Sequence, residues 1–349
     1  GLRGISAQAV TEMIKEAMLY EKLEGGDVRC ALCSHRCRIA PSRRGLCGVR
    51  ENREGALYSL VYGSVVAANV DPVEKKPLYH VCPGSDSYSI ATVGCNFRCS
   101  FCQNHEISQL PRGEGRIAGR EMPPREIVNK AIYTESKSIA YTYTEPTIFF
   151  ELACETGRLA REEGLKNIFV TNGFMTQEAL EAASPWLDAA NVDLKSFRDE
   201  FYRRHCGARL EPVLETLRAM RQRGIWVEVT TLVIPTLNDG EAELRDLAAF
   251  IRSLGEDVPW HVSRFFPRYE LQRLPPTPLQ TIERALAIGK EAGLRHVYGG
   301  NVPGSDSDNT YCAACHNLLI ARQGYSIRAY NLQGARCRRC GTPLAGIFS

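Results

Sequence analysis

The sequence predicts an α/β protein whose parallel strands form a partial or complete (β/α) barrel, flanked at each end by a four-cysteine metal module. Three observations carry this. From about residue 88 to 301, short apolar runs alternate with longer helical patterns, as in βαβ units with right-handed crossovers. Polar, chemistry-bearing residues follow the strands, as at the C-terminal mouth of a barrel. Most of the 14 cysteines fall into groups at metal-ligand spacing.

The first part covers residues 1–55. Val10, Ile14, Ala17 and Met18 recur at helical spacing, which predicts an amphipathic helix over Gln8–Leu23. Cys30, Cys33, Cys37 and Cys47 follow as C-x2-C-x3-C-x9-C. A knuckle turn between closely spaced thiols points both sulfurs at one centre, so these four are expected to bind zinc or an auxiliary [4Fe–4S] cluster. His35 is a spare candidate ligand beside them, and with four thiols present it reads as a bystander. Residues 56–87 read as a β-rich connector (Leu57, Tyr58, Leu60, Val61, Tyr62, then Val65 and Val66), closing in the polar, proline-punctuated Asp71–Pro77.

The barrel region, residues 88–301, is expected to have strands at Tyr88–Val93, Ser138–Thr144, Asn167–Thr171, Ala189–Lys195, Ile225–Ile234, Trp260–Phe265 and Arg295–Gly299. Helices are expected at Pro124–Glu135, Thr147–Glu163, Glu211–Arg223, Glu241–Leu254 and Pro278–Ala292. A complete TIM-like barrel of eight units takes roughly 250 residues, and this region is shorter, so an open barrel fits as well as a closed one. Residues 302–349 form the last module, entered through the Pro/Gly/Ser/Asp-rich stretch 302–309. There Cys312, Cys315, Cys337 and Cys340 make two C-x2-C knuckles resembling a zinc ribbon, with Tyr325–Tyr330 as a strand. Four soft thiolates suit zinc, and in so small a module the metal substitutes for a core. Arg322, Arg328, Arg336, Arg338 and Arg339 give this module a basic cast.

Charge and hydropathy exclude more than they assign. A net charge of +3 makes no case for a nucleic-acid or membrane-surface protein. No apolar stretch nears the roughly 18–20 residues of a membrane span, and the first residues lack the hydrophobic run of a secretory signal. Three clustered thiol groups imply a reducing, cytoplasmic setting. Cys82, Cys154 and Cys206 stand alone, without partners at metal-ligand spacing.

The chemistry centres on Cys95, Cys99 and Cys102, a C-x3-C-x2-C loop directly after the first barrel strand. Electron-transfer clusters use four cysteines, so three thiolates holding a [4Fe–4S] cluster leave one iron without a protein ligand. An open iron can chelate paired amino and carboxylate groups, which the methionine portion of S-adenosylmethionine supplies. The loop, with Phe101 before its last cysteine, resembles that of the radical SAM superfamily. The resemblance implies reductive cleavage of S-adenosylmethionine to methionine and a 5′-deoxyadenosyl radical, and it sets Phe101 near the adenine. It further implies cofactor contacts by Glu145 in Tyr141–Pro146, by Asn172 in Thr171-Asn172-Gly173, and by Asp193 and Lys195. The last two share one face of their strand by period-two alternation. Thr230, Thr231, His261, Ser263, Arg264 and Asn301 are candidates to line the substrate channel.

Several further stretches narrow the resemblance: Asp71–His80, Pro83-Gly84, Gln103-Asn104, Val233–Asp239, Ser263-Arg264-Phe265 and Gly300–Gly304. Together these are similar to the AmmeMemoRadiSam system radical SAM enzymes, relatives of pyruvate formate-lyase activating enzymes. That implies an association with AMMECR-type and Memo-type proteins and a reductant such as flavodoxin or ferredoxin. The expected function is hydrogen abstraction from a protein or peptide, as in a glycyl-radical activase. An RNA-modifying radical SAM enzyme and a non-enzymatic metal-carrying assembly protein are the alternatives.

Overall fold

The computed structural model describes residues 14–302 and 304–348. They divide into two compact units interleaved along the chain. The first unit takes the described residues up to Val70, with Ser87–Arg98 and Gln103–Asp188. The second takes Asp71–Asp86, Cys99–Cys102 and the chain from Ala189 onward.

The first unit opens with two small antiparallel sheets. Tyr20–Lys22, Val28–Cys30 and Arg38–Ile39 make one, and Lys15–Glu16, Ala56–Ser59 and Arg50–Arg53 the other. The helix expected over Gln8–Leu23 is therefore not formed in its described part, and Gln8–Met13 lie outside the described residues. Ala17 N–H bonds to the Leu57 carbonyl at 2.7 Å, Met18 N–H to Glu151 Oε1 at 2.7 Å, and Leu19 sits at φ 55°. Long-range pairing has overridden a short helical period, which is a weak prior in so brief a segment.

The same unit carries the parallel strands Asp86–Ala91, Ser138–Tyr141 and Lys166–Thr171, with Ser138 opposite both Ser87 and Lys166. They are almost wholly buried, as expected of strands covered on both faces. Helices Pro124–Tyr133 and Phe150–Glu162 pack beside them. Pro124 sits in the first turn, where its missing N–H costs nothing. A Cβ on Gly157 would lie 2.2 Å from the Trp186 ring, so glycine in this helix answers to a close approach. Trp186 meets Tyr141, Phe150 and Phe169 edge-on or tilted.

The second unit has parallel strands Ala189–Asp193, Trp226–Val233, Trp260–Arg264 and Val297–Gly300, each paired with the next. Helices Glu211–Gln222, Glu241–Leu254 and Leu279–Glu291 connect them. Its C-terminal module is an antiparallel sheet, Thr310–Tyr311, Leu318–Gln323 and Ser326–Tyr330, over a small core of Leu319, Ile320, Leu332 and Leu344. Arg322 departs from the basic surface expected of this module. It is buried, donates to the Tyr79 carbonyl at 2.9 Å and lies over the Tyr79 ring at 4.1 Å. Among the described residues, no helix is long and apolar enough to cross a membrane.

Candidate active site and metal centres

The cysteine loop is held by each unit in its own way. In the first unit, Phe97 N–H points at Cys95 Sγ at 3.4 Å, and Arg112 donates to the carbonyls of Cys95 (2.6 Å) and Phe97 (2.8 Å). A backbone N–H aimed at sulfur favours its thiolate, the form that binds metal. Asn172 Nδ2 donates to Asn96 Oδ1 at 2.7 Å and stands 4.0 Å from Cys95 Sγ, while its Oδ1 accepts from Phe174 N–H. Asn172 is thus beside Cys95 by local construction, through the turn that ends the Lys166–Thr171 strand. His35 Nε2 meets the Asn96 carbonyl at 2.8 Å, and burial lowers the His35 pKa.

Glu145 lies fully inside the first unit. Its Oε1 accepts from Thr147 N–H (3.1 Å), Thr147 Oγ1 (2.5 Å) and Thr171 Oγ1 (2.7 Å), and its Oε2 from Asn172 N–H (2.8 Å). Burial raises its pKa, and these donors pull the other way. The carboxylate caps the helical turn Pro146–Phe149 and braces the Thr171–Asn172 corner.

In the second unit, Cys99 and Phe101 are buried against the segment Asp199–Cys206. Ser100 N–H bonds to the His205 carbonyl at 2.9 Å, Ser100 Oγ meets His205 Nδ1 at 3.2 Å, and the rings of Phe101 and Phe201 are 5.8 Å apart. Residues Tyr202–Cys206 form a π-helical turn closed by Gly207 at φ 68°, a distortion common at functional sites. The turn sets Cys206 near Cys99, and the neighbouring Cys206 thiol and burial push the Cys99 pKa well up. Lys195 Nζ pairs with Asp193 Oδ2 at 2.9 Å and lies 5.7 Å from the Phe101 ring centroid. Burial opposes the Lys195 charge, yet the Asp193 carboxylate and the neighbouring thiols hold its pKa above the ordinary value. The Lys195 N–H also donates to Tyr202 Oη at 3.0 Å.

Within this unit the structure thus brings Cys99, Phe101, Asp193 and Lys195 together and adds Cys206, which the sequence left unassigned, with Tyr202 and His205, which it did not single out. The residues at the later strand ends are engaged within the fold. His261 Nε2 meets Glu228 Oε2 at 2.6 Å in the core, and Thr231 Oγ1 bridges the Leu194 carbonyl and Trp260 Nε1. Arg264 holds the Thr277 carbonyl, and Asn301 holds Ser263 Oγ. The Thr230 hydroxyl is buried without a hydrogen-bond partner among the described residues.

The two flanking groups differ in geometry. The thiols of Cys312, Cys315, Cys337 and Cys340 all lie within 4.8 Å of one another, with Cys312–Cys340 at 3.6 Å and Cys315–Cys337 at 3.7 Å. This group can hold a metal ion. Cys30, Cys33, Cys37 and Cys47 instead line one cavity with Arg50, His35 and Ile148.

Residues 89–248 match the sequence model of the Radical SAM superfamily. An uncharacterized protein of Methanocaldococcus jannaschii is 46% identical over 331 residues, covering 94% of this chain and 98% of that protein. The pyruvate formate-lyase-activating enzyme of Clostridium pasteurianum is 24% identical over 179 residues, covering 48% of this chain and 72% of that enzyme. Among solved structures, a radical SAM methyltransferase from Sphaerobacter thermophilus aligns with TM-score 0.48 at 18% identity, covering 68% of this chain and 71% of that one.

Proposed function

The chain belongs to the radical SAM superfamily and is an enzyme, and we propose that it cleaves S-adenosylmethionine reductively to abstract hydrogen from a protein or peptide. The observation that carries this reading is the packing of Cys99, Phe101 and the Asp193–Lys195 pair in one corner of the second unit. Cys95, Cys99 and Cys102 are the ligands of a [4Fe–4S] cluster. Their chemistry fits: none is in a disulfide, and Cys95 has a backbone N–H directed at its sulfur. When bound, the cluster supplies the electron that breaks the cofactor's sulfonium C–S bond. Around it, Phe101 offers an apolar wall for the adenine. Lys195 offers a cation for the methionine carboxylate, with its ammonium held in position by Asp193. Asn172 fixes Asn96 next to Cys95. Glu145, already engaged by its donors, acts by holding the Thr171–Asn172 corner.

Activase-like work on a glycyl-radical protein is the substrate class we favour, supported by the similarity to activating enzymes, with AMMECR-type and Memo-type proteins as candidate partners on motif resemblance alone. A low-potential donor such as flavodoxin or ferredoxin in a reducing cytoplasm would supply the electron. The C-terminal group is read as a zinc site, since bonds of about 2.3 Å in a tetrahedron give sulfur–sulfur edges of about 3.8 Å. Burial of Arg322 removes one of the basic residues that motivated an RNA substrate. The test is anaerobic reconstitution with iron and sulfide, reduction, and assay for 5′-deoxyadenosine. The native chain should yield it and Cys99→Ala should not; full turnover by that variant would refute the cluster assignment.

A further inference from the structure

The cavity lined by Cys30, Cys33, Cys37 and Cys47 also receives a side chain that is hard to explain unless something fills it. Arg50 is 1% exposed, and only its Nη2 is engaged, by the Met18 carbonyl at 2.6 Å and Glu151 Oε1 at 3.0 Å. Its Nε and Nη1 are buried and, among the described residues, have no hydrogen-bond partner. A buried N–H donor left unpaired loses its hydration with nothing in return, so such a group is an argument for a missing acceptor.

From this we propose that the N-terminal cysteines hold a second [4Fe–4S] cluster, ligated at all four irons, whose sulfur atoms accept the free N–H groups of Arg50. Sulfur spacing argues against a single ion. A zinc tetrathiolate needs thiols about 3.8 Å apart, a spacing the C-terminal group meets at 3.6 and 3.7 Å. Among the described residues, the N-terminal thiols do not gather within 4.8 Å in this way. They stand around a cavity instead, as ligands must when each binds its own iron at the corner of a cube.

The site backs directly onto the loop of Cys95. A Cβ on Gly94 would come within 3.1 Å of the Cys47 carbonyl. The Arg112 guanidinium spans both cysteine segments, donating to the carbonyls of Leu46, Cys95 and Phe97. A cluster with no open iron transfers electrons rather than binding substrate. It would pass one electron at a time from a low-potential protein donor to the cluster of the Cys95 loop, with no bond made or broken. This role rests on the proposed function; the cluster itself does not.

The first test is metal and sulfide analysis of the full chain, purified and reconstituted anaerobically. The expected content is about eight irons and one zinc per chain. A triple variant, C95A/C99A/C102A, should keep about four irons and four sulfides and show a reducible cluster by electron paramagnetic resonance. A native chain with only four irons, all retained by the triple variant, would uphold this site while sinking the Cys95 reading. Two zinc ions and no iron in the triple variant would overturn it. Should the cysteine variants fail to fold, the iron-to-zinc ratio of the native chain still decides, about 8:1 against 4:2. For the relay, C30A/C47A should reduce its remaining cluster severalfold more slowly with flavodoxin as donor. An unchanged rate would refute the relay.

Discussion

The Cys206 thiol meets the Cys99 thiol inside the second unit, delivered by a π-helical turn more than a hundred residues further along the chain. Hydrogen bonds to cluster sulfurs stabilise the more negative, reduced state and so raise the reduction potential. Once Cys99 is bound to iron as a thiolate it has no proton to give, so Cys206 is the donor of the pair, and Cys206→Ala removes that S–H without adding bulk. A net hydrogen bond of about 1 kcal/mol corresponds to about 40 mV for one electron, so the midpoint potential should fall by about that much. Cys206→Ser, which keeps an O–H donor, should recover part of the shift. Potentiometric titration followed by electron paramagnetic resonance reads both, and an unmoved potential in Cys206→Ala would remove Cys206 from any tuning role.

A second prediction concerns Gly157. With its notional Cβ 2.2 Å from a Trp186 ring that already meets Tyr141, Phe150 and Phe169, the helix cannot accept a side chain without displacing that tryptophan. Gly157→Ala should therefore destabilise the protein, by about 1–3 kcal/mol, although alanine is the better helix former. Thermal melting would show it, and a raised melting temperature would contradict the packing argument.

Acid sensitivity should arise from His80. It is fully buried, with Nδ1 meeting the Ala345 carbonyl at 2.7 Å and Nε2 the Tyr298 hydroxyl at 2.7 Å. A carbonyl only accepts, so Nδ1 carries the proton and Nε2 accepts from Tyr298. Burial lowers the His80 pKa to about 4, and that of neighbouring His296 falls well below its ordinary value, also through burial. Glu228 favours a charged His80, while Arg322 and His261 oppose it. Between pH 6.5 and 4 the unfolded chain binds the proton and the folded chain does not, so stability falls as pH falls through this window. For His80 alone the loss approaches about 3 kcal/mol by pH 4. Denaturant titrations across this range should show the slope, and His80→Gln should flatten it.

Why some of this is legible in sequence and some is not follows from the residues. The C-terminal cysteine group declares itself by spacing, because thiols that converge on one centre are constrained to be near neighbours in sequence. The parallel strands can be placed to within about three residues wherever both faces are buried, since such strands read as continuous apolar runs. The short helix Gln177–Ala183, capped by Thr176, escapes a sequence reading for want of a full amphipathic period. Cys206 carries no signal, because its partner lies far away in sequence and a π-helical turn has no compositional mark. Arg322 misleads as a surface charge; its burial depends on Tyr79, which only folding brings near.

The role of Glu145 can be separated by experiment from that of Lys195. Both are implied to touch the cofactor, yet Glu145 has four donors converging on it and Lys195 has one carboxylate partner. Glu145→Gln puts an amide NH2 either where the Asn172 N–H points or where the three donors of Oε1 converge, leaving at least one buried donor without an acceptor. That should cost about 2–4 kcal/mol, read as a clear drop in melting temperature of the protein without added S-adenosylmethionine. Lys195→Met removes a cation while keeping the apolar stem. Its effect should appear in cofactor affinity, measured by calorimetry on the reconstituted protein, more than in melting. If Glu145→Gln melts like the native chain but binds S-adenosylmethionine weakly, the carboxylate is a cofactor contact first and a brace second, and its holding of the Thr171–Asn172 corner would contribute little to stability.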